Sequence, residues 1–344
     1  MMVLSFALRK CLRQGVVFSP SSSLVIGYSV NRFNCLPLGI CGYLFSRCSF
    51  STNTNGDGED LVKNDGDCVL PKPVKLGVSK YEPRVLDGTK NPILIYHGLF
   101  GSRHNWRSLS KAISERTRRL VIPMDVRNHG SSGHSDEMSY PAIVSDALEM
   151  MSNKKINEAT LIGHSLGGRA FIHFALNFPE KVEKLIIVDV GMLRPGQQSH
   201  DHIQITSAMM SSIKDLPINS SRTEVRKIVD HRLKNIVIDP FIRGFLLLNL
   251  IENESGQVTW QCNLNALEAS LKSGLIDTMS TQGVYNGPTL LIYGGKSEYV
   301  DDNQIVKLNQ HFPNLKTHCI KDGTHYLHVE KASEFLEHTI KFIN

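Results

Sequence analysis

From residue 73 onward, short apolar runs alternate with stretches in which apolar residues recur every three or four positions. "PILIYHG" (92–98) is a continuous apolar run closed by glycine, the pattern of a strand buried on both faces. "RLVIPMD" (119–125), "EATLIGHS" (158–165), "KLIIVDV" (184–190) and "PTLLIYGG" (288–295) read the same way, "LKTHCI" (315–320) reads as a further strand, and "PVKLGVSKY" (73–81) alternates and predicts a strand with one exposed side. Between them "RHNWRSLSKAISE", "YPAIVSDALEMM", "LGGRAFIHFALNF", a segment near 302–311 and "YLHVEKASEFLEHTIKFI" carry helical spacing. Strands alternating with helices predict an α/β fold, a parallel sheet covered on both faces. The rhythm breaks at about 191–283, where "IQITSAMMSSIKDL" and "FIRGFLLLNLI" are helical by pattern. An insert that begins and ends at strand termini is expected to form a helical cap over the carboxyl ends of the strands, where open α/β sheets hold their ligands.

The segment before this domain has a different character. Residues 1–55 carry Arg9, Lys10, Arg13, Arg32 and Arg47 and no carboxylate before Asp57. Rich in Arg and Ser, and intermittently apolar, residues 1–52 match a mitochondrial transit peptide, which predicts delivery to the matrix. The longest apolar run there, Cys35 to Phe45, is too short to span a bilayer, so no transmembrane segment is expected. Residues 53–71 are polar and rich in Gly, Asp and Asn, a linker, and 72–344 form the folded domain.

The chain's formal charge of +5 comes from 38 basic and 33 acidic residues, and those five N-terminal cations account for all of it. A balanced body disfavours nucleic acid as a partner. Of the seven cysteines, Cys68, Cys262 and Cys319 lie beyond the N-terminal segment, widely spaced and with no CxxC pair, so neither a disulfide framework nor a zinc site is indicated. His200 and His202 have H-x-H spacing with no third ligand in sight, and are expected in a solvated cap loop. No metal or organic cofactor is implied.

One candidate for chemistry stands out. Gly163-His164-Ser165-Leu166-Gly167 fits G-x-S-x-G, with a strand before it and a helix after it. A turn from strand to helix this tight strains the serine backbone and leaves no room for a Cβ two residues away on either side. It pushes the Ser165 hydroxyl out above the sheet, over a helix N-terminus that favours negative charge. A tetrahedral oxyanion needs two backbone N–H donors. Leu166 follows the serine directly; the second is expected from "HGLFGS", at Leu99, with Phe100 as the competing choice.

"HGLFGSRHNW", "DVRNHGSS", "GHSLGGRAF" and "TWQCNLNAL", in this order and at these spacings, resemble the α/β-hydrolase superfamily over residues 73–344. Within it they resemble the mitochondrial α/β-hydrolase domain-containing protein 11 branch, related to small bacterial esterases. The resemblance implies the α/β-hydrolase fold, a mostly parallel twisted sheet with a helical cap. It also implies a Ser-His-Asp serine esterase or lipase acting on lipid or acylglycerol-type esters. The base falls at His325 in "KDGTHYLHVEK", rather than His328, which already sits in helical pattern. The acid is less direct, because "GGKSEYV" carries Ser297 where the superfamily commonly has a carboxylate. Asp189, at the end of the neighbouring strand, is the position the related esterases use; Glu298 remains the competing acid, and Asn265 cannot serve as a charged partner. Asp125, Arg127, His129 and Ser132 are expected to brace the site. Phe100, Trp106 and Tyr326 are expected to line an apolar acyl pocket with the cap. The missing acid at Ser297 also motivates another reading, a degenerate hydrolase that binds matrix proteins.

Overall fold

A computed structural model describes residues 70–192, 199–217, 220–274 and 282–344. The expected leader 1–52, nearly all of the linker 53–71 and both edges of the expected cap lie outside the described residues. Six strands form one parallel sheet: β1 (Ile93–Tyr96), β2 (Val121–Met124), β3 (Ala159–His164), β4 (Val182–Val188), β7 (Thr289–Gly294) and β8 (Leu315–Ile320); β5 (Leu250–Glu252) and β6 (Val258–Trp260) form a separate hairpin in the cap. The spatial order is β2-β1-β3-β4-β7-β8. Continuous apolar runs suit such strands because the pleat sends alternate residues to opposite faces, and both faces are covered. Leu94, Leu161, Leu185, Ile187 and Leu291 feed one core, while Ile93, Ile95, Ile162, Ile186 and Ile292 feed the other.

Ten helices surround the sheet among the described residues: α1 (Arg107–Thr117), α2 (Tyr140–Asn153), α3 (Leu166–Asn177), α4 (Ser199–Ser212), α5 (Arg222–Leu233), α6 (Pro240–Leu246), α7 (Leu264–Ser273), α8 (Asp302–His311), α9 (Leu327–Glu330) and α10 (Ala332–Ile343). Ile113 of α1 and Phe335 and Ile343 of α10 cover one face. Ile143, Phe171 and Leu308, from α2, α3 and α8, cover the other, in a core that continues into the cap through Met209, Leu246 and Leu267. Helix starts follow local chemistry: Ser139, Asp239, Asn263 and Asp301 each accept a backbone N–H of the first turn.

Three elements differ from the sequence reading. Residues 73–81 form only isolated antiparallel bridges, Val78 to Met124 and Tyr81 to Val121. The partner strand explains this: Ser79 N–H donates to the Pro123 carbonyl, but Pro123 has no N–H to return, and Gly77 N–H turns instead to Ser132 Oγ. The last helix breaks at Lys331 (φ −120°, ψ 42°), and Glu330 folds back to accept from the Thr324 N–H and hydroxyl. In the cap, Leu250–Trp260 is an antiparallel hairpin rather than helix. Its turn overrides the apolar spacing: Asn253 Oδ1 accepts from the Ser255 and Gln257 N–H groups, and Gly256 takes φ +76°.

Many histidines are buried in neutral form. Burial holds His129 and His328 at about 3 and His173 and His202 at about 4, and it also lowers His97 and His164. Such a ring stays neutral in the folded chain while the unfolded chain protonates it below about 6.5, so stability is full above that pH and falls as pH drops toward the folded values. Each such group adds a slope of about 1.4 kcal/mol per pH unit. We expect urea-unfolding stability to be level from pH 8 to 7 and to fall steeply between pH 6.5 and 5, above the range in which ordinary carboxylates titrate. A midpoint unchanged between pH 7 and 5 would contradict the neutral assignments.

Candidate active site

Ser165 occupies the turn between β3 and α3, at φ 52° and ψ −116°, a conformation that L residues rarely adopt. The space around it accounts for the glycines. A Cβ on Gly163 would lie 2.4 Å from the Gly167 carbonyl oxygen, and one on Gly167 would lie 2.6–2.7 Å from Tyr96 and the His97 carbonyl oxygen. Gly168 is equally tight, against Val190 and Gly163. Leu166, the first residue of α3, has an N–H with no acceptor within the helix, and the helix N-terminus attracts negative charge.

The loop after β1 approaches the serine closely: a Cβ on Gly98 would stand 3.2 Å from Ser165 Cβ. Of the two candidate donors in this loop, Phe100 is committed elsewhere, since its N–H donates to His129 Nε2 at 3.1 Å. Its carbonyl accepts from Asn249 Nδ2 of the cap at 2.8 Å, and its backbone sits at φ +59°. Leu99 is left as the donor candidate. His129 and His97 work alike: each uses Nδ1 toward a carbonyl (Arg127, Gly98) and accepts a backbone N–H at Nε2 (Phe100, Val126). That pattern fixes both rings neutral with the proton on Nδ1.

The residues Asp125, Arg127, His129 and Ser132 thus brace the loops. Asp125 takes the Arg103 guanidinium and the Arg103 and Ser131 N–H groups. Arg127, fully buried, forms a fork of two 2.7 Å bonds to Asp146. Asn263, which caps α7, donates its N–H to the Asn128 carbonyl and ties the cap to the same turn.

His325 lies in the turn between β8 and α9. Its Nδ1 is 2.7 Å from Asp189 Oδ2. Asp189 follows β4 at φ +49°, is fully buried, and is reached from the adjacent strand end: the Gly294 N–H donates to Oδ1 at 2.8 Å and the Ser297 hydroxyl to Oδ2 at 2.5 Å. The Ser297 hydroxyl therefore orients the Asp189 carboxylate. Glu298 is exposed, Asp301 caps α8, and Asn265 is exposed on α7. The His325 ring stacks on Tyr299, centroids 3.8 Å apart. The His325 carbonyl accepts from His164 Nε2 at 2.9 Å, so the second residue of G-x-S-x-G supports the turn that carries the histidine. With Nδ1 toward Asp189, Nε2 is the nitrogen free to exchange a proton.

The pocket residues separate. Tyr326 stands between His325 and the cap, its ring 5.5 Å from Phe241 and 5.6 Å from Phe245 of α6. Phe100 is 4% exposed and packs in the core that runs from sheet to cap. Trp106 corrects the expectation: it is 1% exposed, stacked on His328 at 4.7 Å and packed edge-on to Phe335, in the core on the α1 and α10 side. An indole adjoining an apolar helix buries its large surface there rather than beneath the cap. His202 corrects another. It lies on α4, not in a solvated loop, 3.4 Å from the Tyr299 hydroxyl, and burial, then Arg169 and His325, push it down to about 4. His200 is exposed and meets Gln204.

Sequence reasoning missed His164, Asn249, Tyr299 and His202 as parts of this site. His164 lay inside a recognised motif; the others come from distant segments and carry no local signal.

Residues 91–219 match the α/β hydrolase fold family. The chain is 34% identical to the sn-1-specific diacylglycerol lipase ABHD11 of Mus musculus over 321 residues, 93% of this chain and 95% of the relative. It is 32% identical to the protein of that name from Danio rerio, over 86% of this chain and 89% of the relative. Among solved structures, a marine microorganism esterase superposes with a TM-score of 0.69 at 29% identity, covering 78% of this chain and 99% of its own. The chain belongs to the α/β-hydrolase family. Within that family it falls in the branch of the ABHD11 proteins.

The serine turn generates a direct test. In Gly167→Ala the new methyl has only backbone and Tyr96 Cβ to meet, so overpacking of about 1–3 kcal/mol is expected. Urea unfolding should show that loss, whereas Gly244→Ala, with open space around it, should cost little. Equal stability of the two variants would show that the turn is looser than described.

Proposed function

We propose that the chain is a carboxylic ester hydrolase working by acyl transfer at Ser165. The observation that carries this reading is the 2.7 Å bond between Asp189 and His325, in the loops that flank the strained serine turn. Ser165 Oγ attacks the ester carbonyl as His325 Nε2 takes its proton; Asp189 orients the ring and stabilises the cation that forms. The oxyanion receives the N–H groups of Leu166 and Leu99, a typical donor of this kind contributing ~3 kcal/mol. His325 then returns the proton to the leaving alcohol, and water, deprotonated by the same ring, releases the acid.

For substrate we propose lipid esters of the acylglycerol type. The relatives named as diacylglycerol lipases support this, as does the aromatic wall of Tyr326, Phe241 and Phe245 beside His325. Ser297 was the motive for a binding-only reading. Because it donates to Asp189, its lack of a carboxylate removes no charge from the relay. No helix among the described residues is long and apolar enough to cross a membrane.

A fluorophosphonate probe should label the chain at Ser165 and leave Ser165→Ala unlabelled. On p-nitrophenyl esters of increasing length, Asp189→Asn should lose roughly 10⁴-fold in kcat, the order seen when a triad acid becomes an amide, while Glu298→Gln keeps near-full turnover. An unlabelled wild-type chain favours the binding-only reading, and the reverse ranking of the two carboxylate variants makes Glu298 the acid.

The acid-free, arginine-bearing segment 1–52 supports a second proposal, that the protein acts in the mitochondrial matrix. Residues 1–52 fused to a fluorescent protein should direct it to mitochondria, in a form protected from protease until the inner membrane is opened. Diffuse cytosolic signal would refute this.

A further inference from the structure

A second cluster of ligand-type side chains lies outside the proposed active site. His318 projects from the edge strand β8 toward α10, where Glu334 and His338 are one turn apart on the same face. His318 Nε2 is 3.2 Å from Glu334 Oε1, and the His318 and His338 rings stack with centroids 3.3 Å apart and planes 16° from parallel. One nitrogen or oxygen from each of the three lies within 4.8 Å of the others. In a tetrahedral zinc site with bonds of about 2.0–2.1 Å, ligand atoms stand about 3.3 Å apart. The His318–Glu334 separation already matches that edge, and His338 would turn out of its stack on His318 to direct a nitrogen at the same point. Local spacing along the sequence does not display this trio, because a strand and a helix bring it together.

We propose that His318, Glu334 and His338 form a binding site for a divalent transition-metal ion, Zn²⁺ foremost, with water in the fourth position. Two imidazoles and a carboxylate favour such ions over Mg²⁺ and Ca²⁺, which take oxygen ligands. Both rings must ligate as neutral bases. Burial and the neighbouring His318 lower the His338 pKa, while Glu337 and Glu334 raise it and Lys341 lowers it. Binding replaces the His318–Glu334 contact, and any proton on the ligating nitrogen passes through solvent to the other ring nitrogen or to buffer. None of the three residues hydrogen-bonds Ser165, Asp189 or His325 among the described residues. Their placement nonetheless matters: His318 and Glu334 flank the turn and α9 that carry His325, so a shared ion staples that segment at both ends.

The full chain, freed of metal by chelation, is titrated at pH 7.5 with Zn²⁺, and with Co²⁺ for its visible absorption. One equivalent should bind, with a tetrahedral Co²⁺ spectrum, a higher Tm and slower amide exchange across 321–331. His338→Ala and His318→Asn should abolish binding, Glu334→Gln should weaken it at least tenfold, and Cys319→Ser and His200→Ala should retain it. Circular dichroism of each metal-free variant checks that it is folded. A wild-type chain that takes up no ion overturns the proposal, as does unchanged affinity in His318→Asn and His338→Ala. Every readout is independent of ester turnover, so either result leaves the active-site reading to its own tests.

Discussion

The Asp189 carboxylate joins the sheet to the candidate chemistry, and its placement depends on the order of the strands. It sits where β4 ends, between β3, which delivers Ser165, and β7, whose end supplies the Gly294 N–H and the Ser297 hydroxyl. A fully buried carboxylate is costly unless its oxygens are satisfied, and here three donors converge on two oxygens. The same three contacts leave the carboxylate little freedom to turn, and the imidazole inherits that rigidity.

Strained backbone recurs at the carboxyl ends of four strands. Phe100 after β1, Asn128 after β2, Ser165 after β3 and Asp189 after β4 all have positive φ without being glycine. Each such conformation costs of order 1–3 kcal/mol and persists only where the surroundings over-determine it. Part of those surroundings is a set of histidines used as struts in the neighbouring loops. His97 and His129 hold backbone N–H groups, and His164 holds the His325 carbonyl. Neutral imidazole suits this work because one ring donates on one side and accepts on the other.

Much of the fold was legible because parallel strands buried on both faces write themselves as unbroken apolar runs. "ATLIGH" and "TLLIYG" need no partner to be recognised. What failed depended on a partner. The segment 73–81 alternates well, but one proline on the adjacent strand stops it from pairing fully. At Leu250–Trp260 the helical pattern lost to a hairpin whose asparagine turn apolar spacing cannot display. At the site, Ser165 was legible from its own neighbours, and His325 and Asp189 from family resemblance joined to sheet order. Ser297 was visible only as a missing carboxylate; that its hydroxyl serves the neighbouring one is a fact of three-dimensional proximity. Trp106 misled because aromatic character says how much surface must be buried and nothing about which side of a sheet will bury it.

The double attachment of Phe100 has a mechanical corollary. Its amide is held from below by the braced turn and its carbonyl from above by Asn249 of the cap. Lifting the cap as one rigid plate would break that bond, at about 0.5–1.5 kcal/mol net. Entry of a bulky guest is therefore cheapest by parting helices around this anchor, with the rivet itself left in place.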